Sequence, residues 1–375
     1  MRGKKLRDYS GQWTGWNLGT NEGAVIIDLD RLERDVTGHF YLYEKAGDVA
    51  GTVGEIKFSN GSLPESVVVQ VRPFHGLLGR ELSQDEFHQE FQGFEFPSFT
   101  KIGFSQIGRN ISATWESTIG TAGTVVLTRG NEREASLVAP EPNVSDWDSF
   151  KKRVKEWEHE EFVFRGQPGT WPLRTAFHRT SRSDLIPFVH RDIPKLYNHL
   201  SGQLKHLYNL RDPVMTASLW GLTQHHGYPT PLLDWTYSPF VAAYFAYQGV
   251  SPDQKTGSVR IFILKRGRWD QGTEVFYVTH SRPLVCLLEP FSLENNRALP
   301  QQSIMMVSNV DDIESYIEAQ DRLHGDQSLW AIDLPISERL KVLSELRLMG
   351  ISAGSLFPGI DGTCRDFKER YFPEF

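Results

Sequence analysis

Thr230-Pro231-Leu232-Leu233-Asp234-Trp235-Thr236-Tyr237-Ser238-Pro239-Phe240-Val241-Ala242-Ala243-Tyr244-Phe245-Ala246 is the stretch on which the fold turns. Thr230 to Asp234 reads as a brief strand. Ser238 and Pro239 then open a helix, with serine as N-cap and proline at the first helical position. Ala242, Ala243 and Ala246 have no bulk beyond Cβ, so that helix can lie close on a sheet. Asp234, Trp235 and Thr236 therefore fall on a strand-to-helix connection, where polar groups can face a cleft. Just upstream a helix ends at His225-His226-Gly227, because Gly227 suits a C′ position and Pro229 forbids continuation. Adjacent histidines on a helix point in different directions, and no third and fourth ligand stands at a convincing spacing. No metal is expected.

Working outward, Phe162-Val163-Phe164-Arg165-Gly166-Gln167 is a short apolar run that ends in Arg-Gly-Gln. An arginine at a strand end offers a donor fork to an anion, and glycine lets a ligand approach backbone amides. The other use of such an arginine is a carboxylate pair at the strand terminus. Downstream, Asn295 to Val307 runs from a polar turn into an apolar strand, with Gln302 at its entrance. Ile193, Leu196, Tyr197, Leu200, Leu204 and Leu207 recur at helical spacing and form a core stripe.

Before residue 140 the pattern changes. Candidate strands near Gly11, Ala24, Gly38, Gly51, Val67, Lys101, Asn110 and Gly123 are separated by Gly and Asn, and only Asp85 to Phe91 looks helical. Ile111, Ala113 and Trp115 alternate with polar residues, the period of a sheet with one wet face. This predicts an all-β barrel or sandwich over residues 1–139. Gly11-x-Trp13-x-Gly15 is weakly similar to the first-strand signature of small ligand-binding barrels. A pocket there would hold a ligand; alternatively Trp13 and Trp16 plug the end of a core, the commoner use of buried aromatics. Residues 130–146 read as a linker and residues 140–375 as a second, mixed domain.

The 375 residues suit about two domains. No apolar run approaches the roughly 18 residues of a membrane span, and the basic start has no following apolar stretch. Cytoplasmic location without membrane association is expected. Two cysteines make no disulfide scaffold, and a net charge of −7 gives no general attraction to nucleic acid. Local basic stretches at 179–182 and 260–268 remain candidate tracks for an RNA or DNA strand, or solvated charged faces.

The four segments Phe164-Arg165-Gly166-Gln167, Leu232 to Ala246, Arg297 with Gln302, and Leu356-Phe357-Pro358-Gly359-Ile360-Asp361-Gly362 together resemble the FRG-domain family. The motif order is similar to that of ADP-ribosyltransferases. That resemblance implies an α+β split-sheet domain around an NAD cleft, with NAD as co-substrate. It places Arg165, Asp234, Thr236 and Gln302 in catalysis. Arg165, Gly166, Gln167, His226, Tyr228 and Tyr237 would hold the dinucleotide, with Tyr228 or Tyr237 stacking on nicotinamide. Gln302 is neutral where the larger group commonly has Glu; Asp234 would supply the charge, or Glu289 or Glu294 would replace Gln302. The implied activity is mono-ADP-ribosylation of a protein or a nucleic-acid target such as RNA, by a toxin or phage-defence effector with an antitoxin or inhibitory partner. The competing readings are an NAD hydrolase and a non-catalytic nucleotide- or partner-binding module.

Overall fold

The computed structural model describes residues 8–45, 50–59, 62–76, 80–130, 134–157, 160–251, 253–270 and 282–372. Eight antiparallel strands close into a barrel: β1 (Gly11–Gly19), β2 (Gly23–Leu32), β3 (Asp35–Glu44), β4 (Gly51–Phe58), β5 (Ser66–Phe74), β6 (Phe99–Ile107), β7 (Asn110–Ser117) and β8 (Ala122–Arg129). Thr14 pairs with Thr128, which joins β8 back to β1 and excludes the sandwich. A capping box between Ser83 and Glu86 starts helix α1 (Gln84–Glu90), close to the span expected.

Inward side chains follow the two-residue period. Trp13, Leu29, Val36, Ile56, Phe58, Phe104, Ile111 and Leu127 belong to one buried core. Trp13 is 1% exposed and Trp16 is 49% exposed. They stand three positions apart, so they lie on opposite faces of β1, and only Trp13 plugs the barrel.

The second domain is built on a six-stranded sheet, in the order β12-β13-β10-β9-β11-β14. Its strands are β9 (Phe162–Gln167), β10 (Leu232–Thr236), β11 (Ser258–Lys265), β12 (Val285–Leu288), β13 (Ser303–Ser308) and β14 (Leu329–Pro335). The helices are α2 (Trp147–Arg153), α3 (Ala176–Arg179), α4 (Leu185–Pro187), α5 (Ile193–Leu200), α6 (Pro213–His225), α7 (Pro239–Gln248), α8 (Ile313–His324), α9 (Arg339–Leu348), α10 (Ala353–Leu356) and α11 (Ile360–Tyr371). Strand β9 pairs with β11 over six residues but with β10 only at Phe164 opposite Thr236. The sheet thus parts at its centre. On one face of the sheet separate buried cores flank the parting, one with α7 and α9, the other with α6 and α5, while on the opposite face a single core runs across it from Val163 and Phe262 to Leu233 and Trp235.

Ser238 accepts a hydrogen bond from the Val241 amide and caps α7, as its sequence predicts. Two expectations change. The helical stripe ends with α5 at Leu200, and Leu207 is 80% exposed, because the chain turns at residues 201–203. The described part of the linker is strapped to the second domain: Ser136 and the Leu137 amide donate to Glu314, and the Glu141 amide donates to the Ala331 carbonyl.

The domains meet through the outer face of β2 and β3. Asp30 is buried and accepts from Arg182 Nε at 2.7 Å and from the Ser183 amide at 2.7 Å. His39 Nδ1 lies 2.7 Å from Asp184. Burial works against a charge on His39, but the adjacent Asp184 carboxylate outweighs it and holds the imidazole above its ordinary 6.5. Folding therefore favours the protonated ring. Its stabilisation is full below pH 6.5 and is lost as pH rises through the raised value. Stability measured by urea unfolding should fall as pH rises from the ordinary histidine value of 6.5 through the raised one, and His39→Gln should remove that part of the slope. Arg182→Met strands the buried Asp30 carboxylate and should cost roughly 3 kcal/mol in the same measurement.

Candidate functional site

A cavity of about 350 Å³ opens where β9 and β10 part. Its walls include Arg165 from β9, Gln224 and His225 from the end of α6, Asp234 and Thr236 from β10, and Ala242 and Phe245 from α7. Arg297, Gln301, Ser303 and Phe357 complete it. All four segments singled out in the sequence contribute at least one of these residues, although more than 190 positions separate Phe164 from Phe357.

Arg165 spans the parting, with one guanidinium nitrogen donating to the Asp234 carbonyl at 2.6 Å. Its Nε is buried and has no hydrogen-bond partner. Burial, partly offset by the Asp234 carboxylate, pushes its pKa down to about 10, so it remains a cation at neutral pH. Asp234 accepts from Gln224 Nε2 at 2.7 Å, and Gln224 in turn accepts from the Thr230 hydroxyl. This chain fixes the carboxylate against the last turn of α6. Arg297 donates to the His225 carbonyl at 3.1 Å and lies over the Phe357 ring, 5.4 Å from its centroid. Burial holds the His225 imidazole below its ordinary range, and its Nδ1 lies 2.9 Å from Asn295 Oδ1. Two arginines, one carboxylate, amides and aromatic faces thus border one small space. Such a set can bind a group that carries both negative charge and hydroxyls.

The site residues predicted from the sequence divide. Arg165, Gly166, Asp234 and Thr236 line the cavity. Gly166 has a structural use in addition: a Cβ there would fall 1.8 Å from the Ala242 carbonyl oxygen, so the glycine lets α7 rest on β9. Thr236 is buried, and its hydroxyl donates to the Gln301 carbonyl at 2.7 Å, which ties strand to turn.

Gln302 is exposed in a left-handed turn at φ 48°, with its carbonyl accepting from the Tyr237 amide. The glutamine in the cavity wall is Gln301, buried and donating to the Leu356 carbonyl at 3.0 Å. The left-handed residue turns the chain between them, which spacing along a strand does not foresee. The same one-residue offset separates the exposed His226 from the lining His225. Gln167 is turned into its own loop and donates to the Trp171 carbonyl. Tyr228 packs on Phe188, and Tyr237 bonds Glu289 beneath the Arg266 guanidinium, so neither ring lines the cavity. Glu294 binds the amides of Lys205 and His206 instead.

Sequence reasoning missed Gln224, and only its place in the last turn of a helix could have signalled it. Among the described residues no group of three His, Cys, Asp or Glu side chains is arranged to hold a metal ion. None of the helices there is long and apolar enough to cross a membrane.

Residues 160–255 match the model of the FRG domain. The match takes in Arg165, Asp234 and Thr236 and stops short of Arg297, Gln301 and Phe357. No protein of curated function matches the chain. Among solved structures, a redesigned β-barrel bound to DFHBI is 9% identical, with 32% of this chain and 94% of that chain covered at a TM-score of 0.22. A de novo fluorescence-activating β-barrel is 10% identical, with 33% and 95% covered at a TM-score of 0.21. Likeness at that level carries no argument about this chain.

Gly166→Ala should destabilise the protein by about 2–4 kcal/mol in chemical denaturation, because α7 must lift from β9. Gln302→Gly should be neutral or slightly stabilising in the same measurement, since glycine adopts a positive φ without strain.

Proposed function

We propose that the second domain is an NAD-dependent ADP-ribosyltransferase-like module that transfers mono-ADP-ribose to a macromolecular target. The observation that carries this reading is Arg165, which lines the same cavity as Asp234 and whose buried Nε has no hydrogen-bond partner. A phosphate oxygen would complete the guanidinium, and ribose hydroxyls would donate to the carboxylate. The cavity is at the small end of the range for ligand sites, so one half of a dinucleotide would be enclosed.

The chemistry asked of these residues is limited. The bond between the ribose anomeric carbon and the nicotinamide nitrogen breaks, and nicotinamide leaves as a neutral molecule. The target nucleophile forms a bond to that carbon and loses its proton to solvent. Positive charge develops on the ribose as in glycoside chemistry, and the Asp234 carboxylate, held by Gln224, is the preorganised negative group near it. Gln301 adds dipoles but no charge. Water in place of the target would make the same site a hydrolase.

The two arginine-containing stretches bear on the target. Arg182 is engaged by Asp30 and Asp192, Arg260 by Asp333, Arg266 by Asp270, and Arg268 by Asp326. Among the described residues only Arg179 and Lys265 of the six cations in these stretches make no ion pair, which leaves little cationic track for a phosphate backbone. A protein target is the better supported, within an effector of toxin or phage-defence type. One observation favours the binding-only alternative: Thr236 spends its hydroxyl hydrogen on Gln301 rather than on the cavity.

Labelled NAD incubated with the protein, with and without lysate or RNA, tests these readings. Label on a macromolecule supports transfer, free ADP-ribose supports hydrolysis, and binding without turnover supports the third reading. Arg165→Lys and Asp234→Asn should each lower turnover at least tenfold with folding preserved, while Gln302→Ala stays within about twofold of wild type. Unchanged labelling in both site variants would exclude this cavity.

A further inference from the structure

The barrel holds a second cavity, about 710 Å³ in volume, unrelated to the parting of the other sheet. It lies at the end opposite the Trp13 plug. Val25, Ile27, Phe40, Leu42, Ile102 and Val125 form its apolar wall. Small side chains keep it open: Ala113 on β7 and Thr52 on β4 stand where a larger inward residue would fill the space. Helix α1 and the loop after it close part of the mouth through Phe87 and Phe96, which pack with Leu82 and Phe91. Two further apolar side chains at the mouth are left facing water, Phe94 at 49% and Ile119 at 39% exposure.

One side of the mouth is polar and ordered. Asn17 is fully buried and accepts from Trp115 Nε1 at 2.7 Å. It donates to the Asn21 carbonyl, and Asn21 Nδ2 donates to Glu44 at 2.8 Å. Glu44 continues the inward series of Phe40 and Leu42 on β3, so its carboxylate faces the cavity. Burial raises its pKa, which a cationic or donating ligand group would oppose. Among the described lining residues the charges are Glu22, Glu44, Glu95 and Lys45, and Lys45 is paired with Glu22. The remaining charge at the mouth is negative.

We propose that this cavity is a binding site for a small amphipathic molecule with an apolar body and a cationic or hydrogen-bond-donating end that meets Glu44. A carbon-lined space of this size is within the range of small-molecule sites, and apolar burial supplies the binding while one placed carboxylate sets orientation. The site is independent of the proposed NAD cavity.

The test uses the full chain and 1-aminoanthracene, an apolar fluorophore with a donating amine. Saturable enhancement of its fluorescence at one site per chain, with quenching of Trp emission, is the expected result. Ala113→Trp and Thr52→Phe, checked for folding by circular dichroism, should each weaken binding at least tenfold. Glu44→Gln should weaken it several-fold, and Arg165→Lys should leave it unchanged. The anionic probe 8-anilinonaphthalene-1-sulfonate should bind less tightly than the amine. Absence of amine binding to the wild type, equal binding by both filled variants, or tighter binding of the sulfonate would overturn the proposal.

Discussion

The parting between β9 and β10 is the constraint from which the second domain's arrangement follows. Strands that met along their full length would satisfy each other's backbone groups and leave no room between them. Here one residue pair, Phe164 opposite Thr236, joins them, and the Arg165 side chain reaches across to the Asp234 carbonyl. A buried guanidinium tolerates such a place only if its donors are used. One is used by the protein, and the Nε is left without a partner. The sheet gives up ladder hydrogen bonds at its centre and gains a lined space.

Two packing decisions hold the parting in place. On one side α7 rests directly on β9, at a distance that only glycine at 166 permits. On the other, α6 delivers Gln224 to Asp234 and packs its own core with β10, β12 and β13. Neither core continues across the cavity. The turn at residues 299–303 and the Phe357 segment then close the remaining sides, through Gln301 and the Arg297 guanidinium over the Phe357 ring.

The barrel is attached by charge as well as by packing. Asp30, Arg182, His39 and Asp184 are paired across the boundary, while Gln12 donates to the Asn309 carbonyl and accepts from the Asp311 amide. These contacts use the outward residues of β1, β2 and β3. The inward residues of the same strands line the barrel's cavity, so one wall serves two purposes by simple alternation.

The sequence by itself determined what local chemistry controls. Turn residues and two-residue alternation placed the eight strands of the barrel, and Ser238 with Pro239 placed the start of α7. The residues at 165, 234 and 236 were legible because each sits at a fixed point in a strand with a readable end. Closure of the barrel, rather than a sandwich, was decided by pairing between β1 and β8, which are remote in sequence. The exchange of Gln302 for Gln301 and of His226 for His225 was decided by the turn at φ 48° and by the last turn of α6. Local pattern sets which residues are near a site; the direction a side chain takes depends on backbone twists that only the packed sheet and helices fix.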